Sequence, residues 1–270
     1  MKKLSFFLIV FMVNNLSAQD LSQYKKEKIV FETDTLNYRI LKPLNYNPSK
    51  QYPVHLFLHG AGERGNDNKS QLVHGAKLFL KKENREQFNS WVIFPQAPKN
   101  DWWGYKDPYK FAYNVKESKA MSLVVKFMDE FIKREDVNQN KVYVSGLSMG
   151  GMGTFVILNL RPEMFAAATP ICGDGDPNSV KNYSKKVPVW IFHGAKDDVV
   201  HPLYPQRGNG LEWMFNTVLG EAGPSARNIE TVLTATGQAL SGETERAVSN
   251  FGRVLPMIGP VTSLRRSLAD

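Results

Sequence analysis

The feature that most constrains this chain is a junction in its middle. The apolar run KVYVS at 141–145 leads straight into Gly146-Leu147-Ser148-Met149-Gly150-Gly151, and a helix-like run over 149–160 follows at once. A short apolar run ending at glycine reads as a buried parallel strand, and a tight strand–turn–helix passage needs small residues where the two elements approach. Other runs of the same kind are PVHLFLH at 53–59, WVIFP at 91–95, the stretch 166–171 and VPVWIF at 187–192. Two earlier strands, 28–33 and 36–41, read as an antiparallel pair. Residues 118–134 carry Leu123, Val124, Phe127, Met128 and Phe131 at helical spacing. Strands alternating with helices predict an α/β domain with a mostly parallel sheet covered by helices on both faces. In such sheets, ligands bind beyond the carboxyl ends of the strands.

Three motifs fall at that end. In Gly146-x-Ser148-x-Gly150 the serine sits on the sharp strand-to-helix turn, which is the setting of a serine nucleophile. His59-Gly60-Ala61-Gly62 closes the 53–59 strand, and its glycines let backbone N–H groups approach a developing oxyanion. Ala61 would supply one donor and Met149 the other. His59 reads as a residue that holds the loop, since it precedes the oxyanion turn. The third motif, HGAKDDVV at 193–200, closes the last strand and offers Asp197, with Asp198 as the alternative, to orient a catalytic imidazole. Asp101-Trp102-Trp103-Gly104-Tyr105 lies on the same side. Trp102 and Trp103 either bind substrate or pack the loop, and residues 63–68 shape the rim. No calcium-loop spacing is present there, and no metal or cofactor is expected.

The blocks LHGAGERGNDN, VSGLSMGGMG and FHGAKDDVV resemble those of secreted esterases of the α/β-hydrolase superfamily, in its dienelactone-hydrolase, phospholipase/carboxylesterase and predicted-peptidase group. The resemblance spans about residues 28–202. It implies the α/β-hydrolase fold, Ser148 as nucleophile, Ala61 and Met149 as oxyanion donors and Asp197 as the triad acid. Its triad runs serine, acid, histidine in chain order, and here the pattern departs. The five histidines are His55, His59, His74, His193 and His201, so none follows 201. His201 is a weak candidate for the base, because four residues is a tight span for Asp197 to orient it while it reaches Ser148. A serine with no imidazole in reach stays a poor nucleophile.

Composition frames these motifs. Lys2 and Lys3, the apolar run 4–13 and Leu16-Ser17-Ala18 have the order of an export signal, so residues 1–18 are expected to be removed and the protein to be periplasmic or secreted. No stable membrane anchor is expected after that cleavage. The single cysteine, Cys172, reads as a buried, inert thiol. The net charge of +8 is carried by scattered lysines, which gives no footing for nucleic acid. Residues 1–202 contain 23 lysines, whereas 203–270 contain none and 6 arginines. The hydrolase domain is therefore placed at 19–202. The atypical segment 203–270 reads as a divergent subdomain or as foreign coding sequence, which would leave the sheet incomplete at its C-terminal end. Function is expected to be serine hydrolysis of small-molecule or carbohydrate-linked esters, impaired if the base is missing. A non-catalytic hydrolase-like binding protein is the alternative.

Overall fold

A computed structural model describes residues 20–104, 118–194, Asp197, Val199 and Val200. The expected export signal, Asp198, His201 and the segment 203–270, on which the expected incompleteness of the sheet depends, lie outside the described residues. Six strands form one sheet: β1 (Lys25–Phe31), β2 (Asp34–Leu41), β3 (Tyr52–Leu58), β4 (Trp91–Gln96), β5 (Val137–Leu147) and β6 (Ala167–Ile171). Their order across the sheet is β1-β2-β4-β3-β5-β6. The first two junctions are antiparallel, and β4, β3, β5 and β6 run parallel. The stretch 187–192, read as a strand, contributes only two bridges beside β6, Ala168 to Val189 and Ile171 to Phe192.

The two-residue period of the strands divides the core. Val54, Leu56 and Leu58 of β3 and Trp91 and Ile93 of β4 point to one face. There they meet α3 (Lys119–Phe131) and α4 (Met149–Leu160). Phe57, Val92 and Phe94 point to the other face, against α1 (Ala76–Leu80) and Tyr24. Helices thus cover both faces, as the alternation predicts. The helix read at 118–134 is α3, with Ser118 as its N-cap accepting from the Met121 N–H at 3.1 Å. Ala120, Met121, Leu123, Val124, Val125, Met128 and Phe131 are its buried residues. Phe127 stays half-buried, 4.9 Å from the Tyr38 ring. Helix α4 is apolar on all sides, with Ile157 and Leu158 fully buried, each worth about 1.5–3 kcal/mol of transfer free energy. Two short helices, α1 and α2 (Lys82–Gln87), were not read from the sequence.

Candidate active site

The parallel strands β3, β4, β5 and β6 bring Leu58, Gln96, Leu147 and Ile171 to one end of the sheet. Ser148 sits there between β5 and α4 with φ 55° and ψ −115°, a strained conformation for a residue with a side chain. The turn is fixed by its surroundings. The Ser148 N–H donates to the Ile171 carbonyl at 2.8 Å, and the Ser148 carbonyl accepts from Met152 N–H at 3.0 Å. A Cβ on Gly146 would strike the Gly150 carbonyl, and one on Gly150 would strike the Leu58 carbonyl. Strand and helix can meet at this angle only without those side chains.

The loop after β3 lies against this turn. A Cβ built on Gly60 would stand 3.8 Å from the Ser148 Cβ and 3.5 Å from the Leu147 carbonyl oxygen. Ala61 opens a short 3-10 turn, Ala61–Glu63, and Met149 opens α4. Backbone N–H groups at first helical positions, such as these two, have no acceptor within their own turn. His59 is 1% exposed, and its two ring nitrogens are committed. Nδ1 donates to the Gly60 carbonyl at 2.6 Å, and Nε2 accepts from the Ala97 N–H at 3.0 Å. Burial lowers its pKa to about 4. It therefore holds the loop as a neutral ring, the role read for it from sequence.

The two tryptophans separate. Trp103 is 2% exposed, donates Nε1 to the His59 carbonyl at 3.0 Å and packs against Gly153. Its expected contact with substrate gives way to the packing alternative, because its ring fills the space beneath the loop. Trp102 is half-buried, with the Arg64 guanidinium 3.8 Å from its ring centre. Arg64 also donates Nε to the Ala61 carbonyl at 2.9 Å, which ties Trp102 to the same loop. The rim residues are anchored by Gln96, whose amide nitrogen donates to the Glu63 carbonyl at 3.1 Å and to Asp67 at 2.7 Å. Asp67 is held well below the usual carboxylate range, chiefly by the Ser70 hydroxyl, so its oxygens are already taken.

Asp197 lies in the turn after the 187–192 stretch, its N–H donating to the Gly194 carbonyl at 3.1 Å. Its Oδ1 accepts from the N–H groups of Val199 at 3.0 Å and Val200 at 2.9 Å. Its Oδ2 lies 3.5 Å from His193 Nε2. Burial opposes ionisation here, but the Val200 and Val199 N–H groups, His193 and the Cys172 thiol outweigh it and lower the pKa. Cys172 follows the residue whose carbonyl receives the Ser148 N–H, so the acid is tied to the serine turn through β6. The thiol is half-buried rather than buried. Burial, opposed by the Gly194 N–H and reinforced by Asp197, pushes its pKa up, away from a reactive thiolate. Sequence reasoning treated Cys172 as isolated and missed this contact.

The histidines are placed as follows. His55 Nε2 pairs with the Ser145 hydroxyl at 2.9 Å, and burial lowers its pKa to about 4. His193 Nε2 donates to the Val200 carbonyl at 2.5 Å. His74 is exposed, with Nε2 3.6 Å from Glu63 Oε1. Among the described residues, no group of three or more His, Cys, Asp or Glu is placed to hold a metal ion, and no helix is long and apolar enough to cross a membrane.

Among solved structures, a thermostable esterase matches with a TM-score of 0.60 and 34% identity, covering 66% of this chain and 48% of that one. The chain belongs to the α/β-hydrolase superfamily. Residues 109–177 match the model of the prolyl oligopeptidase family. A bifunctional acetylxylan esterase/xylanase of Neocallimastix patriciarum is 30% identical over 91 residues, 33% of this chain and 13% of that protein. Feruloyl esterase B of Neurospora crassa is 24% identical over 211 residues, 65% of this chain and 70% of that one. The chain thus spans a small part of the acetylxylan esterase/xylanase and about half of the thermostable esterase. The relatives place it in the esterase and peptidase group of the superfamily.

Proposed function

We propose that this hydrolase is an exported enzyme, periplasmic or secreted, that cleaves carboxylic esters through an acyl-enzyme on Ser148. The observation that carries the reading is the Ser148 turn itself. A strained serine is held between β5 and α4 by glycine contacts on both sides, with Gly60 packed against it. Strain of this kind persists only where the surroundings over-determine it, and it clusters at reactive positions. In the proposed reaction the Ser148 Oγ attacks the ester carbonyl and the Ala61 and Met149 N–H groups receive the oxyanion. Asp197 is the acid that would orient an imidazole, and His201, outside the described residues, remains the candidate base. The acetylxylan and feruloyl esterase names among the relatives favour small or carbohydrate-linked esters as substrates.

A second reading, a non-catalytic binding protein on the same scaffold, draws on the commitment of His55, His59 and His193 to other partners. Hydrolysis of a short-chain nitrophenyl ester by the mature protein, beside Ser148→Ala, separates the two. Turnover abolished by the substitution supports the enzyme. Equal background rates in both proteins leave the binding protein.

A further inference from the structure

The turn that carries the proposed oxyanion donor has little of its own to hold it. Ala61 stands between Gly60 and Gly62, and glycine gives the backbone its widest freedom. A Cβ on Gly62 would meet nothing within 4 Å, so neighbouring atoms do not confine the chain there. The 3-10 turn Ala61–Glu63 is a single one, and the Glu63 N–H reaches the Gly60 carbonyl only at 3.3 Å. Two peptide units meet at Ala61, and a side chain holds each. His59 Nδ1 holds the Gly60 carbonyl at 2.6 Å, and in a trans peptide the Ala61 N–H then points the opposite way. Arg64 Nε holds the Ala61 carbonyl at 2.9 Å. Among the described residues no backbone N–H donates to that carbonyl, so the guanidinium supplies the bond that a longer helix would make for itself.

Arg64 is itself fixed from behind. Its guanidinium carbon lies 3.8 Å from the centre of the Trp102 ring, within the range of a cation on an aromatic face. The Trp102 backbone is pinned in turn to the start of α3. Its carbonyl accepts from the Ser118 hydroxyl at 2.5 Å. Its N–H donates to Asp101 at 2.9 Å, and the other Asp101 oxygen accepts from the Ala120 N–H at 2.7 Å. A helix of the core thus reaches the oxyanion loop through one guanidinium, by a charge-assisted bond stronger than a neutral one. Resting on the serine-hydrolase reading, we infer that Arg64 is a positioning residue of the oxyanion hole, locking the Ala61 turn against Trp102 so that its N–H is aimed before the ester arrives. Arg64 touches no reacting atom. Its effect falls on the transition state, where negative charge develops on the carbonyl oxygen, and not on binding of the neutral ester.

The test compares the wild type, Arg64→Ala, Arg64→Lys, Trp102→Leu and Ser148→Ala in steady-state hydrolysis of nitrophenyl butyrate. Binding of butyl trifluoromethyl ketone, whose adduct on a serine carries an oxyanion, is measured on the same proteins. Misplacing a catalytic group by about 1 Å costs about 10²-fold, so Arg64→Ala should lose about 10- to 10²-fold in kcat with KM nearly unchanged. Affinity for the ketone should fall by the same factor as kcat/KM, which a merely structural role would not produce. Arg64→Lys keeps the charge but not the planar group, and should fall between Arg64→Ala and the wild type. Trp102→Leu should lower kcat while leaving Arg64 in place. Thermal unfolding checks that each variant is folded at the assay temperature, and Arg64→Lys carries the comparison if Arg64→Ala is not. Turnover within about twofold of wild type in the folded Arg64 or Trp102 variants, or a raised KM at unchanged kcat, overturns the inference while leaving Ser148 as the nucleophile. A wild type that neither turns over the ester through Ser148 nor binds the ketone removes the hydrolase reading and this inference with it.

Discussion

Replacing His59 by phenylalanine isolates the histidine's work in holding the proposed oxyanion loop. The ring volume is kept, but the Gly60 carbonyl and the Ala97 N–H lose their partners at 2.6 and 3.0 Å. Each unpaired buried group costs about 1–3 kcal/mol, so the variant should be about 2–6 kcal/mol less stable near neutral pH. The deficit should depend on pH. In the folded protein burial lowers the His59 pKa from 6.5 to about 4. Above pH 6.5 both states are neutral and the folded protein keeps its full advantage. As pH falls toward 4 the unfolded chain takes up a proton that the folded one refuses, and the wild type loses stability. At about pH 4.5 this amounts to about 2–3 kcal/mol, a loss the phenylalanine variant does not share. Urea unfolding followed by tryptophan fluorescence, at about pH 7.5 and 4.5, measures both proteins, and acid effects of all other groups cancel in the difference. The gap between wild type and variant should shrink by that amount at the lower pH. A gap of equal size at both values would refute the claim that His59 is held as a neutral, doubly bonded ring.

Gly150→Ala should destabilise the protein by at least about 1–3 kcal/mol, because the new methyl group meets the Leu58 carbonyl rather than a yielding side chain; thermal unfolding reads it. Trp103→Phe removes the donor to the His59 carbonyl and should cost at least about 1–3 kcal/mol in urea unfolding while leaving KM for a nitrophenyl ester unchanged. A raised KM would return Trp103 to the substrate pocket. Asp197→Asn should lower kcat by about 10²–10⁴-fold with little change in KM. It should also remove a stability contribution that is present above the ordinary carboxylate value of 3.8 and lost as pH falls through the lowered folded value.

The architecture was legible wherever burial imposed a pattern. The limits read for α4, 149–160, are those found, because the junction at Ser148 and Arg161 punctuate an apolar run. Strand β5 begins four residues before the apolar run read for it. Asn138, Gln139 and Asn140 look like a turn in sequence, but Val137 pairs with Tyr52 across a register shift in β3. Helices α1 and α2 are too short for a helical period to emerge, and α2, KENREQ, buries nothing. The strand read at 187–192 has the composition of a buried strand, yet Trp190 and Phe192 remain 36% and 40% exposed, and only two bridges form. At the site, the serine turn and its glycines were readable because their spacing is local. The fate of Trp103 and the tie of Cys172 to Asp197 depend on contacts between distant segments.

The most direct test of the account is covalent labelling of the mature protein by a fluorophosphonate, read by intact mass and peptide mapping in the wild type and Ser148→Ala. The account predicts one adduct per chain, on Ser148, and none in the variant. No adduct on the wild type, or the same adduct in both proteins, would contradict the claim that the strained Ser148 turn is a working nucleophile.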